Sequence, residues 1–248
     1  SFYDKVNFRQ EVTSISQGSQ FNFDVETKKK DKFQADIVIA NLTPWNLAAL
    51  MMDNLPKALT RIPDFPEEYW GAFMLYLGID SSSIPKDIPL HHQVLQRLPF
   101  GEGNSVFLSI SPEWDSKRAP LGQRALTISS HTKLGQWWQW FEKDKQMYET
   151  QKSVMTEKLL VSVARVLPDI HTAIQLLMPG TPITFKRYLG RKYGWVGGFP
   201  QTSLFKTFHP KLGKNLWLVG DSIFPGQSTA AVALGGMRVA KEILASLS

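Results

Sequence analysis

The last stretch of the chain, Asn215 to Leu247, constrains the fold more than any other feature. A short apolar run from Leu216 to Val219 leads into Gly220, and a Pro-Gly pair then precedes an alanine-rich run. This order predicts a buried strand, a tight turn and a helix. Ser228 or Thr229 is the expected N-cap of that helix, because their side-chain oxygens can accept a first-turn N–H.

The predicted turn suits a ligand. A helix start presents free N–H groups and a positive dipole end, which favour a phosphate or an electron-rich ring oxygen. Asp221 lies at the carboxyl end of the predicted strand, where open α/β sheets bind ligands. A carboxylate repels a phosphate, so its expected partner is a hydroxyl, as in a sugar or ribityl chain. Alternatively, the Gly-Asp pair is only a strand-to-helix turn.

The residues of this stretch carry a resemblance. GDSIFPGQSTAAVALGGMRVA, which begins at Gly220, resembles the C-terminal flavin-binding segment of the carotenoid desaturase and isomerase branch of the phytoene desaturase family. Its Pro-Gly-Gln version looks most like the cyanobacterial-type carotenoid 3,4-desaturases. The resemblance implies FAD as the cofactor, with the Asp bonded to the ribityl or pyrophosphate region. The FAD-binding role carries over to Gly220, Asp221, Pro225, Gly226, Gln227, Ser228 and Thr229.

Two other stretches share this resemblance. A strand that carries Val12 resembles the one whose backbone lies against the adenine end of FAD, and the run from Ala35 to Ala40 resembles the strand that returns to the nucleotide domain. GRKYGWVGGFPQT, from Gly190 to Thr202, resembles a loop that passes close to the flavin. The alternative is a glycine-rich surface loop. The resemblance implies a substrate pocket formed by Tyr193 and Trp195 as walls and by Gly197 and Gly198, where backbone approaches the ring.

The resemblance also implies the fold class. We expect an α/β (α+β-like) chain with a partial FAD/NAD(P)-binding fold of the amine oxidase and phytoene desaturase type. No GxGxxG fingerprint follows a first strand, so the N-terminal half with the ADP-binding loop is expected to be absent from this chain. The expected domains are 1–42 with 205–248 as the FAD-side flanks, and 43–204 as the substrate domain.

Periodicity within the middle of the chain predicts further elements. Apolar and aromatic runs at 69–79, 106–110 and 125–130 indicate strands of a mixed, largely antiparallel sheet with one face toward an apolar ligand. His91 and His92 are expected in a polar loop. Thr43 and the proline after it predict a capped helix that runs to residue 50.

A tryptophan-rich run opens what reads as one long helix, from Trp137 to about Val166. The simpler interpretation is that its aromatic residues pack in the core. The alternative is an interfacial surface, because indoles favour such boundaries and lysines lie nearby, at Lys133, Lys143 and Lys145.

Composition excludes several classes. Cysteine is absent, which removes disulfides, thiol catalysis and cysteine metal sites and fits a reducing compartment. Net charge is +6, but no nucleic-acid motif accompanies it, so we expect no nucleic-acid partner. No apolar run reaches the roughly 18 residues of a membrane span. The expected location is cytoplasmic or membrane-peripheral, on the cytoplasmic or stromal side.

No catalytic residue can be assigned from the sequence. There is no Ser-His-Asp arrangement, paired carboxylates, Walker loop or metal-ligand spacing, so no metal is expected. A flavin enzyme needs none of these, because the flavin itself accepts the hydride. The composition is that of an ordinary globular protein, 43% hydrophobic, which provides enough apolar residues for a core.

The resemblance implies that the intact protein is an enzyme that desaturates a carotenoid or similar long polyene by hydride transfer to FAD. Alternatives within the family are carotenoid isomerisation, retinol saturation and ketolation. A different class remains open: a non-catalytic module that binds an apolar ligand or a membrane surface. The chain alone is expected to be inactive and to bind FAD weakly. It is expected to self-associate through an unpaired edge of the strand at 216–219.

Overall fold

The computed structural model of this chain describes residues 6–18, 22–51, 54–62, 69–199 and 208–247. It divides into two compact units, 1–64 with 197–248 and 65–196. The domain boundaries expected from the sequence were 43 and 204, and the latter lies outside the described residues. In the structure the first unit continues to residue 64, past the expected boundary at residue 43. The helix at Pro44–Leu50 belongs to this unit because it packs into its core through Leu47.

The described parts of the chain contain eleven strands and six α-helices, with two short 3₁₀ helices at Ser81–Ser83 and Lys192–Gly194. In chain order these are β1 Val12–Gln17, β2 Phe23–Thr27, β3 Lys32–Ala35, β4 Val38–Ala40, α1 Pro44–Leu50, β5 Trp70–Asp80, β6 His91–Leu95, β7 Ser105–Ile110, β8 Gln123–Lys133, α2 Leu134–Lys143, α3 Lys145–Val163, α4 Ile170–Ala173, β9 Ile174–Gly180, α5 Pro182–Leu189, β10 Lys211–Gly213, β11 Leu216–Leu218 and α6 Thr229–Leu247.

The first unit begins with an antiparallel sheet of β1, β2 and β3 in that order. Lys28, Lys29 and Lys30 lie at the turn between β2 and β3, where Lys30 Nζ is 3.0 Å from Glu26 Oε1. That hydrogen bond lowers the pKa of the Glu26 carboxyl.

A second sheet of the first unit has the order β10-β11-β4. The middle strand, β11, pairs in parallel with β4 and antiparallel with β10, and its three residues are buried. The prediction of an unpaired edge on this strand is therefore wrong. The edge strands are β10 and β4, and Ile39 of β4 is 52% exposed.

The core of the first unit joins both sheets to α1 and α6. Its buried members include Ile15, Leu47, Leu216 to Leu218, Val239 and Ile243. Thr43 caps α1, as predicted, since its Oγ1 accepts the N–H of Asn46 at 3.2 Å.

The second unit is built on a five-stranded antiparallel sheet with the order β6-β7-β8-β5-β9. Alternation along β5 buries one face, through Phe73, Leu75, Leu77 and Ile79. The prediction of a largely antiparallel sheet is confirmed. His91 and His92 lie in β6 rather than in a polar loop, because they pair with β7.

The predicted long helix is two helices, α2 and α3. The helices meet at Asp144, whose Oδ1 accepts the N–H of Met147 at 2.9 Å and so caps α3. Trp137 is fully buried and stacks on Phe73 at 5.4 Å. The core-packing interpretation of the tryptophan run is therefore correct for Trp137. Among the described residues, no helix is long and apolar enough to cross a membrane.

Candidate functional site

The carboxyl ends of β4 and β11 lie side by side in the first unit. Leu218 pairs with Ala40, and the N–H of Val219 donates to the Ala40 carbonyl at 2.9 Å. The next residues meet as well. A Cβ placed on Gly220 would lie 2.4 Å from Asn41 Oδ1, and Gly220 has φ +101. Only glycine fits there.

Asn41 was not anticipated by sequence reasoning. It directly follows the apolar strand Val38–Ala40, so its position at a strand end was the signal that could have identified it. Adjacent parallel strands place such residues at one edge of a sheet, which is where open α/β sheets bind ligands.

The glycine-rich segment packs against the Gly-Asp turn. A Cβ on Gly198, which has φ +72, would lie 2.1 Å from the carbonyl oxygen of Asp221. Gln227 Nε2 donates to the carbonyl oxygen of Gly197. Four predicted site residues from two distant stretches are therefore brought together. In the structure, protein atoms approach both Gly197 and Gly198. That these two glycines line a substrate pocket stays a prediction.

An aromatic cluster anchors this segment. Phe199 stacks on Trp45 of α1 at 5.6 Å and lies 4.9 Å from the ring of Phe208. Phe208 in turn forms a β-bridge with the buried Ile223, inside the turn that begins at Gly220. The segment and the turn are thus held by the same packed rings.

The start of α6 provides the polar groups of the site. Ser228 Oγ accepts the N–H of Ala231 at 3.2 Å, which confirms Ser228 rather than Thr229 as the N-cap. The side chains of Gln227, Ser228 and Thr229 are exposed, and the first turn of α6 contains no acidic residue. The helix start therefore offers hydroxyls and a positive dipole end to a ligand, without a repelling carboxylate.

The other turn residues are less accessible. Pro225 is partly buried and Gly226 is buried. Ser222 is fully buried, and its Oγ has no hydrogen-bond partner among the residues that the structure describes. The turn thus contains one buried hydroxyl whose hydrogen-bonding capacity is unused.

Three remaining candidates belong to other parts of the chain. Val12 pairs with Thr27 in the sheet of β1, β2 and β3. Tyr193 and Trp195 belong to the second unit. Trp195 is 7% exposed and packs on Tyr69 at 4.5 Å, and burial raises the pKa of the Tyr69 phenol.

Tyr193 is the more accessible of the two aromatic candidates. The residue is 40% exposed, and its backbone has φ +57. Trp138 Nε1 donates to the Tyr193 carbonyl oxygen at 2.9 Å, which fixes the backbone while the ring stays partly open.

The second unit presents an apolar sheet face opposite its core. The small side chains Ala125, Thr127 and Ser129 alternate outward along β8. Larger side chains share this face: Met74 and Tyr76 on β5, Phe107 on β7, and Met178 on β9 beyond β5. The small residues of β8 thus form a short, shallow lane between Phe107 on one side and Met74 and Tyr76 on the other.

Metal chemistry has no visible support within the described ranges. No group of three histidine, aspartate or glutamate side chains there could hold an ion. His91 stacks on Phe107 at 5.8 Å, and His92 Nε2 bonds the Pro89 carbonyl at 2.7 Å, so the adjacent histidines point apart.

Comparison with known proteins identifies relatives along nearly the whole chain. It is 30% identical over 256 residues to a chloroplastic prolycopene isomerase of Daucus carota, covering 98% of this chain and 41% of that protein. It is 24% identical over 261 residues to a 4,4'-diapolycopene oxygenase of Methylomonas sp, covering 98% of this chain and 51% of that protein. The chain therefore spans about half or less of the length of these relatives.

A solved structure shares the fold. The crystal structure of an oxidoreductase from Methanosarcina mazei aligns with TM-score 0.54 at 16% identity, covering 94% of this chain and 49% of that one. No family model matches the chain. The resemblance to the carotenoid desaturase and isomerase enzymes, and the α/β fold class, are confirmed. The closer likeness to the 3,4-desaturases stays a prediction.

Proposed function

We propose that this chain, a homologue of carotenoid desaturase and isomerase enzymes, supplies the flavin-facing and substrate-facing parts of an FAD-dependent oxidoreductase that acts on a long apolar polyene. The observation that carries the proposal is the similarity to prolycopene isomerases across 98% of the chain. Because this chain spans only 41% of the Daucus carota protein, the activity is proposed for the complete reading frame that contains it.

The residues at the Gly-Asp turn fit a dinucleotide cofactor. The hydroxyls of Ser228 and Thr229 and the amide of Gln227 stand at the start of a 19-residue helix. These three side chains would bind FAD together with Asp221, whose carboxylate would accept a hydrogen bond from a ribityl hydroxyl. Bound FAD would supply a hydride acceptor. Val12 is proposed to contact the adenine end through its backbone.

The lane along β8 is proposed as the substrate surface of the second unit. The lane runs from Ala125 to Ser129, so it extends for about 17 Å. Burial of an apolar ligand on exposed Tyr76, Phe107 and Met178 would be favourable by roughly 25 cal/mol for each Å² removed from water. Tyr193 and Trp195 are proposed as pocket walls on the same unit.

We also propose a peripheral location at a membrane surface, on the cytoplasmic or stromal side. Long polyenes reside in bilayers, and the net charge of +6 favours an anionic surface. Co-sedimentation of the purified protein with vesicles containing anionic lipid tests this. Equal recovery with neutral vesicles, or none with either, would contradict it.

The function is tested by expressing the complete reading frame in bacteria that accumulate a carotenoid precursor. We expect a purified protein with flavin absorbance and an altered polyene profile by chromatography and mass spectrometry. Loss of hydrogen from the polyene identifies desaturation. A colourless protein that leaves the polyene unchanged would instead favour a non-catalytic binding module.

Isomerisation is the second candidate reaction, and the names of the relatives favour it. Four relatives at 28–30% identity are prolycopene isomerases. In the same experiment, isomerisation would change the absorption maximum and retention time of the polyene without any change of mass. Gain of oxygen would point to the reaction type that names the Methylomonas relative.

A further inference from the structure

A cleft of about 330 Å³ opens on the lane face of the second unit, at one end of β8. Its apolar walls are Leu95, Phe100 and Phe107, which are 56%, 57% and 42% exposed. Ala72 pairs with His131 across β5 and β8, and its small side chain leaves the space open.

The wall that carries Phe100 is held rigidly. Ser105 Oγ accepts the N–H of Gly101 at 3.1 Å, and Ser130 Oγ accepts the N–H of Gly103 at 2.9 Å. The N–H of Glu102 donates to the His131 carbonyl at 2.6 Å. The loop is therefore bonded to β7 and β8 on both sides of Glu102, so the cleft is preformed.

Besides Ser105 and Ser130, three polar side chains line this cleft: Gln93, Ser129 and His131. Gln93 lies opposite Phe107, and Phe107 lies opposite Ser129, so polar groups stand on both sides of one aromatic ring. His131 is two residues further along β8 on the same face. Within the ranges that the structure describes, none of these three side chains forms a hydrogen bond to protein, unlike the hydroxyls of Ser105 and Ser130.

Such a lining matches a ligand that is apolar in most of its volume and carries oxygen at one end. An amide, a hydroxyl and an imidazole together can donate to a carbonyl and both donate to and accept from a hydroxyl. A pure hydrocarbon in the same cleft would strip water from these groups without replacing its hydrogen bonds, which is unfavourable.

We propose that this cleft binds the oxygen-bearing end group of a polyene, a hydroxylated or carbonyl-bearing terminus, with the remainder of the molecule lying along β8. The inference rests on the proposed function for the polyene itself and adds the chemical class of its end. Gln93, Ser129 and His131 select for oxygen, and Phe100 and Phe107 enclose the terminal carbons.

A binding measurement tests the inference without requiring turnover. The 248-residue chain is titrated with zeaxanthin and with β-carotene in detergent micelles, followed by quenching of tryptophan fluorescence. The two probes share a carbon skeleton and differ only in a hydroxyl on each end ring. We expect zeaxanthin to bind about tenfold more tightly, the effect of one or two hydrogen bonds.

Variants test whether the cleft is responsible for the preference for zeaxanthin over β-carotene. The triple variant Gln93→Leu, Ser129→Ala and His131→Leu should reduce the preference to about twofold or less. Thr150→Ala, at an exposed residue of α3 that belongs neither to the cleft nor to the lane, should retain it. Circular dichroism checks that each variant is folded. The comparison of the two probes on the wild-type chain does not depend on any variant.

The outcomes separate the two proposals. Equal binding of both probes by the wild type, or an unchanged preference in the triple variant, would overturn the end-group inference and leave the proposed function intact. Binding of neither probe would overturn the inference and count against the lane along β8 as a polyene surface.

Discussion

At the scale of single residues, Gly198 and Asp221 illustrate how the site is assembled. The sequence placed Asp221 at a strand end, and the structure places the backbone of Asp221 against Gly198, a residue 23 positions earlier. Local patterns predicted each stretch separately. Their contact depends on tertiary packing around Phe199, which no local pattern encodes.

Gly198→Ala tests this contact. A Cβ there would lie 2.1 Å from the Asp221 oxygen, and the backbone has φ +72, so we expect the free energy of unfolding to fall by more than about 2 kcal/mol. Gly236→Ala is the control. It lies in α6, where a Cβ would meet no atom within 4 Å, and the substitution should raise stability by up to about 1 kcal/mol. Urea denaturation measures both, and equal effects would contradict the contact.

Asp221→Ala tests the proposed cofactor role in the complete reading frame. A charged hydrogen bond to a cofactor hydroxyl is worth about 1.5 to 3 kcal/mol, so FAD affinity should fall about 10- to 100-fold. Asp87→Ala is the control because Asp87 is exposed in the second unit. Unchanged flavin content after Asp221→Ala would exclude Asp221 from the site.

At the scale of elements, the sequence predicted strands and caps better than it predicted breaks. Thr43 and the proline after it defined the start of α1 because both residues favour a helix start locally. The break at Asp144 was missed because the residues on both sides, such as Lys143 and Lys145, favour a helix, and the capping side chain of Asp144 is the signal that separates α2 from α3. β6 was missed because its polar residues are ordered by pairing with β7.

Ser228 offers a test of α6. Ser228 Oγ caps the helix, yet its backbone has φ +120, where a side chain is strained. Ser228→Ala loses the cap and keeps the strain, so we expect a loss of about 1 kcal/mol or more in unfolding free energy. Ser228→Gly loses the cap and relieves the strain, and should cost only a few tenths of a kcal/mol. Thermal unfolding compares them, and a less stable Gly variant would contradict this account.

At the scale of the whole molecule, the first unit has two apolar features that no described residue covers. One edge of β4 has no partner strand among the described residues, and Ile39 is 52% exposed. One side of α6 carries four apolar side chains, each more than half exposed: Leu234, Met237, Leu244 and Leu247. Exposed strand edges and apolar patches favour association with another chain.

We therefore predict that the 248-residue chain self-associates, through β4 and α6 rather than through the strand that the sequence indicated. Ile39→Lys with Leu244→Glu should weaken association. Val161→Lys, a matched change at a residue 54% exposed in the second unit, should not. Light scattering across a concentration series measures the molar mass of each variant. A constant mass near 28.1 kDa for the wild type would contradict the prediction.

The second whole-molecule prediction concerns the cofactor. The chain contains no GxGxxG loop, which in dinucleotide-binding folds contacts the pyrophosphate at a helix N-terminus. We expect titration of the 248-residue chain with FAD to give a dissociation constant weaker than about 1 µM. A flavin spectrum retained through gel filtration would show that α6 and its turn suffice alone.

The close approach of Gly198 to Asp221 also has a genetic consequence. Every single-base change of a glycine codon that alters the amino acid introduces a side chain or a stop, and any side chain at residue 198 would meet the Asp221 oxygen at about 2.1 Å. No one-step mutational path therefore leads to a tolerated replacement. A deep mutational scan should find residue 198 depleted of every missense codon, while residue 236, where the space is open, accepts alanine.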